Sequence, residues 1–454
     1  MAVRVAVRVA MKGGILLFLL LAVPGRAASQ PQAHRVRPNV LVVTIDTLRT
    51  DALSGYGAPR PTTPHLDALM AGGVRFDQAR TVEPLTTPAL ASMLTSLYPH
   101  EHGATRNGLR MRPGLESLPK VLARQGWTTA AIVGNWTLKD HLSGLGEHFA
   151  RYDEIFTRKR WMGVYKGEST AADLSDEAIQ WLRARDPARP FLLWVHYVDP
   201  HAPYRVQPKE AARLGLGKHP GPRERYDTEV AFADLHVGRL LQELASQGLT
   251  RSTLVVFAAD HGESLGEHGY WGHGRNLFEE TLHIPMALSW PGTLAPRTVA
   301  APALNLDVAP TVLGLLGVHV PAGLRGVDWT PVLLHGAAPD MTRITFHQAH
   351  KGAVVSKHES EMARRSGLLE VGLMAPGGKE IFRIDVQRRA LYDLGSLSRE
   401  RESRVPPASA PSAQLLVWMK NVYAGLTAFD ADPHAATALD RETVEALKSL
   451  GYAE

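Results

Sequence analysis

Several apolar runs in this chain are dense in Val, Leu, Ile and aromatic residues, and each stops abruptly on acids and histidines. Val40-Leu-Val-Val-Thr-Ile45 ends on Asp46. Phe191-Leu-Leu-Trp-Val195 runs into His196, Asp199 and His201. Thr253-Leu-Val-Val-Phe257 leads to Asp260-His261-Gly262-Glu263 and on to Gly272-His273-Gly274. Runs without polar alternation suit strands buried on both faces, as in a parallel sheet. Between them, His65–Gly73, Ala171–Arg183 and Tyr226–Gln247 place apolar residues at helical spacing. Strands alternating with helices predict an α/β fold, a large and mostly parallel sheet flanked by helices. From about Ala337 the strand-like runs shorten, as in Leu368–Met374 and Ile381–Ile384. Residues 337–454 therefore read as a smaller C-terminal α+β subdomain.

In open α/β sheets, ligands bind just beyond the carboxyl ends of the strands. Asp46 and the Asp260-His261 pair fall there. Carboxylate oxygen and imidazole nitrogen both ligate divalent metals. Alone, Asp46 reads equally as a turn or cap aspartate; beside Asp260-His261 it reads as part of a site. Asp199-Pro200-His201-Ala202-Pro203 is another acid–His cluster at a strand end, with prolines that stiffen the loop. In Thr86-Thr87-Pro88-Ala89-Leu90, Pro88 fits the first turn of a helix and Thr86 or Thr87 fits its N-cap. Taken alone, Thr86 is a cap. Near a bound cation, its hydroxyl would become a nucleophile, because the cation favours the alkoxide. His347, His350 and His358 lie in the C-terminal segment and read as packed or solvated.

The chain of 454 residues contains no cysteine, which excludes disulfides, thiolate metal sites and cysteine nucleophiles. Its formal net charge of +5 comes without a dense basic run interleaved with aromatics, so no nucleic-acid partner is expected. Arg4, Arg8 and Lys12 precede the apolar stretch Ile15–Val23 and the small residues of Pro24-Gly-Arg-Ala27-Ala28-Ser29. That order reads as a secretory signal over residues 1–28, with Met1 or Met11 as the start. The apolar stretch is too short to span a bilayer comfortably, so the mature chain is expected in the periplasm or outside the cell without a stable membrane span.

The motifs are collinear with a known family. Asp46-Thr47-Leu-Arg-Thr-Asp51, Pro64-His-Leu-Asp67, Thr86-Thr-Pro88-Ala-Leu90-Ala-Ser92 and Tyr98-Pro-His-Glu-His-Gly103 come first. Asp199-Pro-His201-Ala-Pro-Tyr, Asp260-His261-Gly-Glu263, Gly272-His-Gly274 and Asp307-Val-Ala-Pro-Thr311 follow. This series resembles the sulfatase family of the alkaline-phosphatase-like superfamily and implies a catalytic domain over residues 37–336. Leu391-Tyr-Asp393-Leu and Leu447–Tyr452 resemble the family's tail.

The departures bear on the chemistry. Where sulfatases carry the Cys or Ser that is oxidised to formylglycine, this chain has Thr86. The family's arginine in that motif is Leu90. Its Gly-Lys-Trp-His segment looks like Gly134-Asn135-Trp136-Thr137, and its second aspartate is Thr47. The remaining set is similar to that of lipoteichoic-acid synthases and phosphoethanolamine transferases. By that likeness Asp46, Thr86, Asp260 and His261 would hold one divalent metal, with Thr86 as nucleophile. His201 or His273 would protonate the leaving oxygen. Asp199, His201 and His273 would contact substrate or, alternatively, hold a second metal. Mixed oxygen and nitrogen donors suit Mn²⁺, Zn²⁺ or Mg²⁺ better than Ca²⁺. The first reading is a hydrolase or transferase of phosphoester, phosphodiester or phosphonate groups on a small molecule, lipid head-group or glycan. The alternatives are a sulfatase working without formylglycine and a noncatalytic binding protein of the same fold.

Overall fold

The computed structural model describes residues 37–160, 165–352, 367–394, 401–402 and 410–430. The expected signal, His358 and the Leu447–Tyr452 tail lie outside them. An eight-stranded sheet runs in the order Arg297–Val299, Val74–Phe76, Met286–Ser289, Thr253–Ala259, Asn39–Ile45, Phe191–Tyr197, Thr128–Val133, Arg151–Glu154. Every pairing is parallel except those of Met286–Ser289, which is antiparallel to both neighbours. The three central strands are buried at every residue, which accounts for their uninterrupted apolar sequences.

Helices cover the sheet where periodicity predicts them. The Ala171–Ala184 helix buries Leu174, Ala178, Trp181 and Leu182 on one stripe. Its start is fixed by a capping box: Asp173 N–H donates to Thr170 Oγ1, and Thr170 N–H donates to Asp173 Oδ2, both at 3.1 Å. Burying each large side chain on such a stripe stabilises the fold by about 1.5–3 kcal/mol. Among the described residues, no helix is long and apolar enough to cross a membrane.

Past the main sheet, Thr345–His350, Leu368–Ala375, Gly378–Arg383, Arg388–Asp393 and Arg401–Glu402 form an antiparallel sheet. Leu415, Val422 and Leu426 of the Ala413–Asp430 helix pack on Val371 and Phe382 of that sheet. Its first strand grips the segment that leads to Thr86. Gln348 N–H donates to Val82 O at 3.0 Å, and His350 N–H donates to Glu83 Oε1 at 2.8 Å. His347 and His350 are both fully buried, with His347 Nδ1 donating to Thr81 O and His350 Nδ1 hydrogen-bonded to Glu83 Oε2 at 3.0 Å.

Candidate active site

Register brings the two key carboxylates together. Ile45 pairs with Tyr197 on one side and Ala259 on the other, so Asp46 and Asp260 emerge at the same level from adjacent parallel strands. Each carboxylate has one oxygen tied to protein and one bare. Asp46 Oδ2 accepts from Asn135 Nδ2 at 2.5 Å, with His196 Nε2 3.6 Å away. Asp260 Oδ1 accepts from His261 N–H at 2.8 Å and from Thr47 N–H at 3.2 Å. Thr47 takes the left-handed conformation, φ 55°, at this tight strand exit. Asp46 Oδ1 and Asp260 Oδ2 are buried without a hydrogen-bond partner among the described residues.

His261 closes the cluster. Its Nδ1 lies 2.9 Å from Gly262 O, and a carbonyl only accepts, so the proton sits on Nδ1. The bare Nε2 is then 3.7 Å from Asp46 Oδ1, 3.5 Å from Asp260 Oδ2 and 3.3 Å from Thr86 Oγ1. Burial and the neighbouring His273 push the His261 pKa down, which keeps the ring neutral as a ligand must be. Burial alone would raise both carboxyls. For Asp46 it is outweighed by His196, His201 and His261, which hold it well below the usual carboxylate range. Asp260 goes up, through burial and the Asp46 charge. Asp46, Asp260 and His261 thus converge as a set that can hold a metal ion. Two bare buried oxygens and an imidazole lone pair fit a divalent cation, which replaces the missing partners.

Thr86 stands differently from the expected cap. The helix spans Thr86–Thr95, Leu85 occupies the N-cap, and no side chain caps the helix. Thr86 Oγ1 faces His261 instead, while Thr87 Oγ1 donates to Thr137 O at 3.0 Å. Thr87 N–H is taken by Asn107 Oδ1 at 3.0 Å, and Asn107 Nδ2 is buried without a hydrogen-bond partner among the described residues. Leu90 is fully buried in the main hydrophobic core.

His273 lies against His261, ring centroids 4.4 Å apart, and His201 lies against His273 at 5.3 Å. His273 Nδ1 is 3.1 Å from Glu263 Oε1. His201 Nδ1 donates to Ala202 O at 2.8 Å and has Glu168 Oε1 at 3.4 Å.

Asp199, expected as a substrate contact, is held by protein groups in this structure. Its Oδ1 accepts from Arg158 Nη1 and its Oδ2 from Ala171 N–H, each at 2.6 Å. With both oxygens taken, it places Arg158 and the start of the Ala171–Ala184 helix.

Asn135, Asn107, His196, Glu263 and Glu168 join the site without having been singled out from sequence. His196 and Glu263 had a signal, since they sit in the acid–His runs after strands. Trp194 Nε1 donates to Thr44 Oγ1 at 2.8 Å, and Thr44 Oγ1 pairs with His196 Nδ1 at 2.9 Å, which turns His196 Nε2 toward Asp46.

With that geometry in place, the relatives are informative. The profile of the family described as Sulfatase matches residues 38–318. The chain is 26% identical over 420 residues to N-acetylglucosamine-6-O-sulfatase of Bacteroides thetaiotaomicron, covering 70% of this chain and 75% of that protein. It is 30% identical over 391 residues to arylsulfatase A of Bos taurus, covering 73% of each. A structure solved with D-glucosamine-2-N,6-O-disulfate superposes with a TM-score of 0.67 at 21% identity, over 87% of this chain and 99% of that one. The phosphonate monoester hydrolase of Agrobacterium radiobacter superposes with a TM-score of 0.63 at 21% identity, over 89% of this chain and 99% of that one. The chain belongs to the sulfatase family and is a hydrolase of that family.

Proposed function

We propose that this protein is a metal-dependent hydrolase or transferase of phosphoester, phosphodiester or phosphonate groups, with Thr86 as nucleophile. The observation that carries the reading is Thr86 Oγ1 at 3.3 Å from His261 Nε2, next to two buried carboxylate oxygens that no protein group satisfies. Asp46, Asp260, His261 and Thr86 would hold one divalent ion. When bound, such an ion favours the threonine alkoxide and neutralises charge on the ester oxygens. Thr86 Oγ attacks phosphorus in line with the leaving oxygen. The P–O bond to the alcohol breaks as the Thr86 Oγ–P bond forms, giving a phosphothreonine. A histidine Nε2 proton passes to the departing oxygen. Water or another hydroxyl then displaces Thr86, returning its proton to that histidine. Burial keeps bulk water from this centre, where positioning and charge neutralisation supply most of the acceleration.

A second reading is a sulfuric-ester hydrolase that works without formylglycine. The sulfatase activity in the names of the relatives favours it. The leader composition adds export to either reading. Hydrolysis of bis-nitrophenyl phosphate, phenylphosphonate esters and nitrophenyl sulfate by the Mn²⁺-loaded chain, with Thr86→Ala as control, separates the two. Phosphorus esters cleaved by the parent and spared by the variant support the first reading. Preferential sulfate cleavage replaces it with the second.

A further inference from the structure

We infer that Glu83 is a positioning residue for Thr86, and that the Glu83–His350 pair makes the C-terminal sheet a working part of the active site. The inference rests on the Thr86 reading above. Its ground is the way the chain enters the Thr86–Thr95 helix. A helix start is commonly fixed by a polar side chain at the N-cap, and here Leu85 holds that place with no side-chain cap. The entry is held from outside the helix instead.

Two elements distant in sequence hold it. Asn305, fully buried, clasps the entering segment to the helix. Val82 N–H donates to Asn305 Oδ1 at 3.2 Å, and Asn305 Nδ2 donates to Thr81 Oγ1 at 3.2 Å and to Ala89 O at 2.9 Å. The first strand of the C-terminal sheet, Thr345–His350, takes the segment through His347 Nδ1 on Thr81 O at 2.8 Å and Gln348 N–H on Val82 O at 3.0 Å.

Glu83 is held through backbone and side chain together. Its carbonyl accepts from Thr81 Oγ1 at 3.0 Å and from Leu85 N–H at 2.9 Å. One carboxyl oxygen accepts from His350 N–H at 2.8 Å, and the other is hydrogen-bonded to His350 Nδ1 at 3.0 Å. Pro84 follows, with a fixed φ and no N–H, so a fixed Glu83 leaves Leu85 and Thr86 few ways to turn. Leu85 also lies along the loop that carries His273, since a Cβ added at Gly274 would stand 3.3 Å from Leu85 Cδ1. A displaced Glu83 would shift Thr86 Oγ1 relative to His261 Nε2, which is 3.3 Å away.

The chemistry of the pair argues against a role in stability alone. Glu83 and His350 are both fully buried. Taking such polar groups out of water is costly, and apolar side chains of similar volume often replace a buried pair without loss of stability. Apolar contacts are not directional. Two hydrogen bonds from one residue onto both carboxyl oxygens fix the plane of Glu83 as well as its place.

His350→Leu in the full Mn²⁺-loaded chain removes the side-chain half of this grip and leaves an apolar filling. On bis-nitrophenyl phosphate, kcat should fall by about ten- to a hundredfold, as for a nucleophile displaced by about 1 Å, while KM stays within about twofold. His350→Asn, whose amide can stand near the Nδ1 position, should recover part of the loss. Rates are taken where near-ultraviolet circular dichroism shows each variant fully folded, so lost stability does not enter kcat. Calorimetric Mn²⁺ uptake should persist, because Asp46, Asp260 and His261 are untouched. In a Thr86→Ala background the residual rate should ignore His350→Leu, since the grip matters only with a nucleophile to place. If His350→Leu does not fold, Glu83→Gln takes its place: it keeps the shape and the acceptor for His350 N–H, and kcat should fall by about threefold or more. An unchanged kcat, a rise in KM alone, a loss of Mn²⁺ uptake, or the same fractional loss in Thr86→Ala overturns the inference. Failure of the Thr86 reading looks different: Thr86→Ala would then keep the parent's rate, whatever His350→Leu does.

Discussion

The two halves of this site are finished differently. On the metal side, Asp46 Oδ1 and Asp260 Oδ2 are buried without partners among the described residues, and His261 offers an unprotonated Nε2 between them. On the other side, at the positions that the resemblance matches to the sulfatase ester clamp, several polar groups satisfy one another, although Asn107 Nδ2 and Trp136 Nε1 find no partner among the described residues. Thr137 N–H and Thr137 Oγ1 both donate to Asn135 Oδ1 at 2.9 Å. Thr87 Oγ1 donates to Thr137 O, and Leu90 sits in the core. Buried polar atoms are left bare only where something else completes them. The metal side is built for a ligand. The clamp side has been turned inward and now supports the metal side, through Asn135 Nδ2 on Asp46 Oδ2 at 2.5 Å.

The strongest way to break this contrast is to remove the group that joins the halves. Thr86→Ala is expected to lower kcat on phosphorus esters by at least about 10³-fold, since a nucleophile cannot be replaced by positioning alone. Mn²⁺ uptake, followed by calorimetry, should persist, weakened by the loss of the Thr86 oxygen, because Asp46, Asp260 and His261 remain. Activity that survives the substitution would remove Thr86 from the mechanism. Asp260→Asn strikes the metal side alone. The parent chain should gain about 2.7 kcal/mol in denaturant unfolding at a Mn²⁺ concentration near a hundred times Kd, and the variant should gain little of it. A parent chain whose unfolding ignores Mn²⁺, Zn²⁺, Mg²⁺ and Ca²⁺ alike would favour the noncatalytic reading.

The same contrast explains what could be read in the sequence. The metal side was legible because each group directly follows an apolar run, and parallel register brings strand ends level without further information. Asp46, ambiguous alone, became legible once Asp260-His261 at the end of another run was set beside it. The clamp side was not legible. Asn135 stands where a lysine is missing, and nothing local shows that its amide reaches a carboxylate 89 residues earlier. Asp199 read as a substrate contact because its partner Arg158 lies 41 residues away on another strand. Thr86 read as a cap because a shift of one residue separates the N-cap from the first helical position. The C-terminal grip on Glu83 by His350 spans 267 residues, a pairing that only tertiary structure reveals.

Leu90→Arg asks whether the clamp can be restored. Leu90 is fully buried among core side chains, so an arginine there takes an unpaired charge out of water. The expected cost is about 2 kcal/mol or more in unfolding free energy, with no gain in sulfate ester turnover. A stable variant with new sulfatase activity would show that the position still faces the ester, and the distinction between the halves would fail.

Thr137→Val gives the smallest effect and the sharpest discrimination. The substitution keeps the shape and removes one donor to Asn135 Oδ1, which retains the Thr137 N–H. If the hydroxyl serves only the internal network, stability falls by about 1 kcal/mol and KM stays within about twofold. If the hydroxyl instead binds the ester in the complex, KM rises by about ten- to a hundredfold at nearly unchanged stability, because a hydrogen bond to a charged group is worth about 1.5–3 kcal/mol. The two outcomes move different quantities, so unfolding and steady-state kinetics on one variant decide whether the clamp side is scaffold or binding surface. A scaffold leaves the substrate's charge to the metal and the histidines, which selects esters of low net charge over dianionic ones.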